Sequence, residues 1–429
     1  MEIQTADSLT PELFAKLLNE HWHSEGTNTE QKQFQVDSLS KEPVDLGVLS
    51  QVYRVHLKFK EENAGSSSSP PAEWLVKLCR PDLNLSWMLK NEAAFYRRIA
   101  PHFFEAANNS NSNSTSLPFS VPLVLSGDEN HVILQEVLNV ETFQLMEGCP
   151  HDRIPVLLRC MAGLHATCWK SEKQTMRDTL AGFLTSPPGM GQRLHPLQQE
   201  GLFVSSWKET VDCIQFDPVN DAETLQFITE FCEQLETLKL RAICDQVHRH
   251  NVTLVHGDFH VGNCLFPKPR SMAGVAHDDR PVLVDWATAG FGNPMIDLAF
   301  FIVASTNDEA ASNSRQYLEE YHKLLISYQP WLAETVSLKT LNIWFPFALL
   351  CQWMILVAYD NVCRQIAENE PDEQKREAQL SHFQRVNRKA VMALQSIPNW
   401  RETLSTLDVA TEQDKEEAQG YCNKTSLAI

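Results

Sequence analysis

Two short segments constrain this chain of 429 residues more than any other feature. In the first, LVHGDFHVGNCLF (254–266), an apolar run leads to Asp258, and Asn263 follows five residues later. In the second, PVLVDW (281–286), an apolar run ends in Asp285, 22 residues after Asn263. Asp and Asn are common in turns, but here they follow runs typical of buried strands. The pattern predicts that strands deliver all three oxygen-bearing side chains to one site.

These residue types suit phosphoryl transfer from a nucleotide. That reaction needs a carboxylate to accept the proton of the attacking hydroxyl, and oxygen ligands for a metal ion bound to the phosphates. Asp258 is the candidate carboxylate. Asn263 and Asp285 are the candidate ligands of Mg²⁺, which prefers carboxylate and amide oxygens together with phosphates. We therefore expect ATP and Mg²⁺ as cofactors.

A zinc site is the alternative chemistry for the same segment. His256 and His260 have the i, i+4 spacing that binds zinc when it lies on a helix. Gly257 and the flanking apolar runs predict a loop instead, and no third ligand follows. His256 is better interpreted as bracing the loop through hydrogen bonds.

The two segments resemble the H-G-D-x-x-x-x-N and [IV]-D-[WF] motifs of the aminoglycoside phosphotransferase and choline kinase superfamily. They are most similar to its ecdysteroid kinase-like (CHK kinase-like) branch, and the resemblance extends over about residues 47–395. It implies an α+β, protein-kinase-like fold of two lobes, with a small β-rich N-lobe and a large helical C-lobe. A ligand site is then expected in the cleft between the lobes.

The resemblance also implies roles for residues outside the two segments. Lys77, on a predicted third strand, would reach the nucleotide phosphates and pair with Glu92 of an E-x-x-F-Y helix. Asp297 would anchor the catalytic loop, and His165 is interpreted as a core histidine. The remaining nucleotide-binding candidates lie in a phosphate-covering hairpin and in a hinge that reads adenine through its backbone: Gly47 and Ser50, and Gln135, Glu136 and Val137.

Hydrophobic patterning divides the chain into a strand-rich front and a helical back. We expect an N-terminal lobe over 1–138, a catalytic and substrate-binding lobe over 139–400, and a flexible tail over 401–429. Thr10-Pro11-Glu12 predicts the start of a leading helix. Strands are predicted over Val52–Phe59, Glu73–Cys79, 253–266 and 281–286, and helices over Leu89–Ile99, His151–Trp169, 222–250, 312–328, 338–366 and 373–395.

Composition narrows the classes of partner and the compartment. The 55 acidic and 36 basic residues give a net charge of −19, which argues against nucleic acid and an anionic membrane surface, and tilts the expectation toward an amine-bearing substrate. Eleven cysteines without a C-x-x-C pair, and a start that lacks the features of a signal peptide, predict a reduced, cytoplasmic protein. The apolar run Trp344–Tyr359 is shorter than a typical membrane span, so a core helix is favoured over a membrane segment.

These observations predict an ATP-dependent kinase that phosphorylates a hydroxyl group of a small-molecule metabolite. A catalytically silent nucleotide-binding scaffold is the alternative from another class. A protein kinase is disfavoured because the chain lacks the H-R-D-L-x-x-x-N form and an A-P-E segment after Asp285. Steroid-like, aminoglycoside-like and choline-like acceptors all stay open, with aromatic residues of 344–359 and 203–207 as candidate contacts.

Overall fold

The computed structural model describes eleven stretches of the chain. They are residues 3–24, 33–44, 50–60, 70–80, 86–101, 117–145, 147–169, 222–234, 253–268, 279–368 and 372–406. Several predictions fall outside them: the role of Gly47, the helix beyond 234, the aromatic residues of 203–207, and the tail from 407.

Strands predominate in the first part of the chain, and helices predominate in the second part. In chain order the strands are β1 (Val36–Val44), β2 (Ser50–Phe59), β3 (Glu73–Cys79), β4 (Val124–Gly127), β5 (His131–Gln135), β6 (Val140–Glu141), β7 (Thr253–Val255), β8 (Cys264–Pro267), β9 (Val282–Leu283) and β10 (Gly290–Gly292). The helices are α1 (Pro11–Ser24), α2 (Ser86–Ala94), α3 (Ile154–Cys168), α4 (Ala222–Gln234), α5 (Met295–Ser305), α6 (Asp308–Ser312), α7 (Ser314–Tyr328), α8 (Leu332–Thr335), α9 (Leu338–Glu368), α10 (Glu373–Gln395) and α11 (Trp400–Thr406).

The described residues form two compact units. The first takes those within Met1–Glu141 and Cys264–Ala289, and the second takes those within Thr142–Asn263 and Gly290–Thr406. The segment that contains Asp285 therefore belongs with the N-terminal unit, although it lies far along the chain.

The first unit is built on a five-stranded antiparallel sheet in the order β1-β2-β3-β5-β4. Along β3, alternate side chains face opposite sides, and Trp74, Val76 and Leu78 are fully buried on one of them. They share a core with Phe14 and Leu18 of α1. At about 1.5–3 kcal/mol for each large apolar side chain removed from water, this contact fixes which face of the sheet the helix covers. Lys77 is consequently placed on the other face.

Local signals in the sequence account for where α1 begins and how it is tied to the sheet. The Thr10 hydroxyl accepts a hydrogen bond from the Leu13 N–H (3.2 Å), as an N-cap does. At the other end, the Asn19 side chain exchanges hydrogen bonds with the backbone of Phe34, at 2.8 and 3.0 Å. The predicted helix start is confirmed.

The second unit is mainly helical. Helix α3 packs against α7, and α5 packs against α9 and α10. A two-stranded antiparallel ribbon of β7 and β10 pairs Val255 with Gly290, and α3 also contacts β7. These contacts place the loop after β7 on a scaffold of buried helices.

Most predicted elements are confirmed, with two differences. The predicted strand over 281–286 is wrong beyond Leu283, because the backbone turns at Asp285 instead of continuing extended. The strands predicted within 253–266 are β7 and β8, separated by the predicted loop. Strand β1 was not predicted, since most of its side chains are exposed and it lacks an apolar alternation.

The apolar run Trp344–Tyr359 lies inside α9, which continues through Pro346. Phe345, Phe347 and Trp353 are buried, and the Trp353 indole N–H donates to Asn387 Oδ1 of α10 (2.6 Å). Among the residues that the structure describes, no helix combines the length and the apolar character needed to cross a membrane.

Candidate active site

The loop from His256 to Asn263 is held by one buried carboxylate. Asp297, in the first turn of α5, accepts the backbone N–H groups of His256 and Gly257, both at 2.8 Å. Gly257 has a φ of +80°, which favours glycine because a Cβ would be strained there. The prediction that Asp297 anchors this loop is confirmed.

A second layer of buried polar groups holds Asp297. His165 Nε2 lies 3.1 Å from the Asp297 carboxylate, and His165 Nδ1 lies 2.9 Å from the Tyr321 hydroxyl. Burial opposes the charged carboxylate, but the hydrogen bond from His165 and the charges of His165 and His256 outweigh it, so the pKa of Asp297 lies below its ordinary value. His165 is fully buried, as predicted for a core histidine.

Within this loop, Asp258 and Asn263 are joined to each other. Asn263 Nδ2 donates to the backbone carbonyl of Asp258 (2.9 Å) and lies 3.4 Å from its carboxylate. The Asp258 N–H donates to His256 Nδ1 at 3.4 Å, which supports the predicted bracing role of His256. The Asp258 side chain is 35 % exposed. The loop thus presents a solvent-accessible carboxylate on a backbone fixed from below.

His260, whose spacing from His256 raised the zinc alternative, is a neighbour of Asp258. Its Nδ1 accepts the Gly262 N–H (3.1 Å), so its proton is placed on Nε2, which lies 3.7 Å from Asp258 Oδ2. Within the described part of the chain, no three His, Cys, Asp or Glu side chains cluster closely enough to hold a metal by themselves.

The first unit contains a separate cluster around Lys77. Its ammonium lies 2.9 and 3.1 Å from the two carboxylate oxygens of Glu92 and 3.3 Å from Asp285. Burial opposes its charge, but the charges of Asp285 and Glu92 outweigh it and raise the pKa of Lys77 above its ordinary value. Glu92 is 1 % exposed, whereas Asp285 is 41 % exposed. Lys77 thus connects a buried carboxylate with an accessible one.

The backbone around Asp285 is unusual and tightly held. Asp285 has a φ of +63°, a left-handed conformation that costs a non-glycine residue energy and is often found at functional sites. Just beyond it, the Asn91 side-chain amide donates to the carbonyls of Ala287 (3.0 Å) and Ala289 (2.8 Å). The Trp286 ring stacks on Phe95, with centroids 3.8 Å apart. Helix α2 and the residues after it therefore fix the position of Asp285.

The predicted hinge residues follow β5. The Gln135 and Glu136 N–H groups donate to Leu123 and Glu73 carbonyls (2.8 and 3.0 Å). The Glu136 carboxylate accepts the Arg54 guanidinium at 2.8 and 2.9 Å. These two N–H groups and this carboxylate are thus engaged within the unit itself. Val137 is half-buried beyond them, and Ser50 begins β2, opposite Cys79 of β3.

A family model for the ecdysteroid kinase-like family matches residues 47–331 of the chain. The match includes Lys77, Glu92, the loop after β7 and Asp297. The chain belongs to the ecdysteroid kinase-like family. With an antiparallel β-rich first unit and a helical second unit, the fold class is α+β and protein-kinase-like, as predicted.

The solved structures that match the chain share little of its sequence. The ethanolamine kinase of Plasmodium vivax is 12 % identical with a TM-score of 0.46, and the match covers 91 % of this chain and 89 % of that one. The choline kinase of Cryptosporidium parvum Iowa II is 12 % identical with a TM-score of 0.46, and the match covers 92 % of this chain and 99 % of that one. An ADP-bound aminoglycoside phosphotransferase is 13 % identical with a TM-score of 0.37, and the match covers 88 % of this chain and 99 % of that one. No curated protein shows significant sequence similarity to the chain.

Two groups that position the loop carried no sequence signal of their own. Tyr321 lies in an amphipathic helix, and Ser305 ends a continuous apolar run, so each resembles an ordinary helix residue. Their partners lie far away in the sequence: the Ser305 hydroxyl accepts the Val261 N–H at 2.9 Å. Only a match to the family's pattern of residues could have pointed to them.

Proposed function

We propose that this protein is an ATP- and Mg²⁺-dependent kinase that transfers the γ-phosphoryl group of ATP to a hydroxyl group of a small molecule. In this reaction the hydroxyl oxygen forms a bond to the γ-phosphorus, the bond to the β-phosphate oxygen breaks, and ADP leaves. The hydroxyl proton passes to a carboxylate of the protein.

Asp258 is proposed as the proton acceptor. Its carboxylate is accessible, while its backbone is held through His256, Gly257 and the buried Asp297. A general base must be fixed in position and must reach its substrate, and this loop meets both needs. The donor Nε2 of His260 faces the same carboxylate and would help to orient it.

Asn263 and Asp285 are proposed as Mg²⁺ ligands. The Asn263 amide nitrogen is used in a hydrogen bond to Asp258, so the amide oxygen is the atom suited to a metal. Asp285 offers an accessible carboxylate from a constrained backbone. One carboxylate and one amide, completed by phosphates and water, form a suitable set for Mg²⁺. When bound, the ion would neutralise negative charge on the phosphates.

Lys77 is proposed to contact the phosphates, as the lysine of a kinase β3 strand does. Glu92 fixes it from the buried side, and the raised pKa keeps the ammonium charged. Ser50, Gln135 and Val137 are proposed to contact the nucleotide through their backbones, together with Gly47 and Glu136. The observation that carries the proposal is the Asp297-held loop presenting Asp258, in a chain that belongs to a kinase-like family.

Asp258→Ala provides the direct test. The wild-type protein is incubated with ATP, Mg²⁺ and a mixture of hydroxylated metabolites, and phosphorylated products are identified by mass. Loss of a general base slows catalysis by about 10²–10⁴-fold, so we expect product formation to fall by at least that factor. ATP affinity, measured by calorimetry, should stay close to the wild-type value.

Asp285→Ala is the matched variant for the metal role. It should weaken binding of Mg·ATP, while binding of ATP without Mg²⁺ changes far less. Product formation by Asp258→Ala at a near wild-type rate would overturn the assignment of the base. Nucleotide binding by the wild type, without turnover of any acceptor, would instead support the silent scaffold.

A further inference from the structure

The second unit contains a pocket that the proposed chemistry has not used. Its volume is about 600 Å³, within the range of small-molecule sites. Its walls come from the segment after β6, the start of α6, and one face of α10. Its lining residues include Phe143, Cys149, Thr306, His382, Arg385 and Lys389.

This pocket adjoins the loop that carries Asp258, since the carbonyl oxygen of Phe143, a lining residue, lies 3.7 Å from where a Cβ on Gly262 would be. Ser305 accepts the Val261 N–H with its hydroxyl (2.9 Å) and the Cys149 N–H with its carbonyl. Gly148, with a φ of +80°, lets the backbone pass Ser305, because a Cβ there would lie only 3.2 Å from the Ser305 carbonyl oxygen. The pocket therefore lies beside the proposed catalytic loop, and Ser305 connects the two through its hydrogen bonds.

One wall of the pocket is basic. His382, Arg385 and Lys389 are spaced three and four residues apart on α10, which places them on one face of the helix. Lys389 is only 4 % exposed. Its ammonium donates to the carbonyl of Thr306 at 2.8 Å and lies 3.5 Å from that of Ala304. Of the residues that the structure describes, none places a carboxylate in ion-pair contact with it.

The acidic residues of the pocket lie at its outer edge. Glu147 and Glu309 are exposed. Asp308 is half-buried and pairs with Arg388 at 3.4 Å. Negative charge therefore lies at the entrance, beside the exposed guanidinium of Arg385, whereas the interior holds the buried ammonium of Lys389.

From this arrangement we infer that the pocket binds the acceptor, and that the acceptor carries an anionic group, a carboxylate or a phosphate, held by Arg385 and Lys389. The inference rests on the proposed function in treating the ligand as the phosphoryl acceptor. It departs from the amine-bearing acceptor expected from net charge, because the charges that line the interior decide recognition and the charge of the whole surface does not.

The electrostatics of the empty pocket agree with an anionic ligand. Burial and the nearby Arg385 charge lower the pKa of Lys389 to about 7, although Asp308 opposes them. Burial, with the charges of Lys389 and Arg385, lowers the pKa of His382 to about 4. The charge of Lys389 is thus held at a cost, and an anion beside it would offset that cost.

Three six-carbon polyols that differ only in their end group make a direct test: gluconate, glucitol and glucamine. Binding to the full-length protein is measured by calorimetry with saturating Mg·ADP, which keeps anions out of the nucleotide site. We expect gluconate to bind at least about tenfold more tightly than glucitol, and glucamine to bind no better than glucitol. Inorganic phosphate, as a competitor of gluconate, tests whether a phosphate group can replace the carboxylate.

Arg385→Gln should remove the preference for gluconate, and Lys389→Met should do the same. Arg388→Gln is the matched control, because Arg388 lies on the same helix but pairs with Asp308 and does not line the pocket. It should bind gluconate as the wild type does. Circular dichroism of each variant shows that it is folded.

Equal binding of the three polyols, a preference for glucamine, or no binding of gluconate at millimolar concentrations would overturn the inference. So would an equal loss of binding in Arg385→Gln and Arg388→Gln. The proposed function fails differently, through absent Mg·ADP binding or absent turnover. If Mg·ADP does not bind, gluconate binding is measured without nucleotide. The comparison of wild type and variants then still shows whether Arg385 and Lys389 hold the anion.

Discussion

Two lysines, the half-buried Lys77 of the first unit and the buried Lys389 of the second, are held in opposite ways. Lys77 lies between the carboxylates of Glu92 and Asp285, which raise its pKa although burial opposes them. Lys389 donates only to backbone carbonyls in the described structure, and burial and Arg385 lower its pKa to about 7. Lys77 is therefore charged whatever is bound, whereas the charge of Lys389 depends on what enters its pocket.

The difference between Lys77 and Lys389 indicates two ways in which a lysine can serve ligand binding. A lysine paired with carboxylates is prearranged for a ligand whose charge never changes, such as a nucleotide phosphate. A lysine without an acidic partner gains most from an incoming anion, so it can discriminate between ligands by charge. The following three predictions test this contrast, in order of decreasing effect.

Lys77→Met should have the largest effect on stability. It leaves Glu92 buried without a cation, and breaking one side of a buried ion pair costs about 3–5 kcal/mol. Denaturant unfolding should show a loss of this size in the free energy of unfolding. The double variant Lys77→Met with Glu92→Gln should recover part of it, because the unpaired charge is gone. An unchanged unfolding free energy in Lys77→Met would mean that the pair is not what holds Glu92.

The pH dependence of gluconate binding should reveal the second lysine. The pKa of Lys389 is about 7, so its ammonium loses its proton as the pH rises from 6 to 9, and affinity should fall by up to about tenfold per unit above that pKa. Arg385 stays charged, and His382 is neutral over this range because its pKa is about 4. The other titratable groups lining the pocket are Glu147, Cys149, His151, Asp308 and Glu309.

Burial raises the pKa of Cys149 to about 12, which keeps this thiol protonated throughout the titration. Lys389→Met should remove most of the slope, whereas Arg388→Gln should keep it. A slope that survives in Lys389→Met would assign the titration to another group of the pocket.

Lys389→Met should have the smallest effect on stability. It removes a costly buried charge and a hydrogen bond worth about 1 kcal/mol, and these terms offset each other. We expect the free energy of unfolding at pH 7 to change by no more than about 1 kcal/mol, far less than for Lys77→Met. A loss as large as that of Lys77→Met would show that the two lysines are held equally firmly.

The loop that carries Asp258 could be predicted because its signals are local. Asp258, Asn263 and the apolar runs around them lie within a few residues of one another, and strand geometry then dictates how they are presented. The pairing of Lys77 with Glu92 followed from a family motif, and the structure contains that ion pair. The roles of these residues in catalysis stay predictions for the experiments above.

Other features could not be predicted because they depend on distant contacts. The turn at Asp285 is stabilised by Asn91 and by the stacking of Trp286 on Phe95, and no pattern in VLVDW signals it. Strand β1 is held as an edge by its pairing with β2, although few of its side chains are buried. Lys389 lies in a charged stretch of α10 that resembles a solvated helix surface.

The sequence by itself, through motifs that resemble those of a known family, predicted the family and the α+β class and suggested candidates for phosphoryl transfer, because those depend on short-range spacing and on side-chain chemistry. Tertiary structure decided the left-handed backbone of Asp285, the support of Asp297 by His165 and Tyr321, and the burial of Lys389. The reason is that burial and hydrogen-bond partners come from segments far apart in the chain, and they set the energy of each charge.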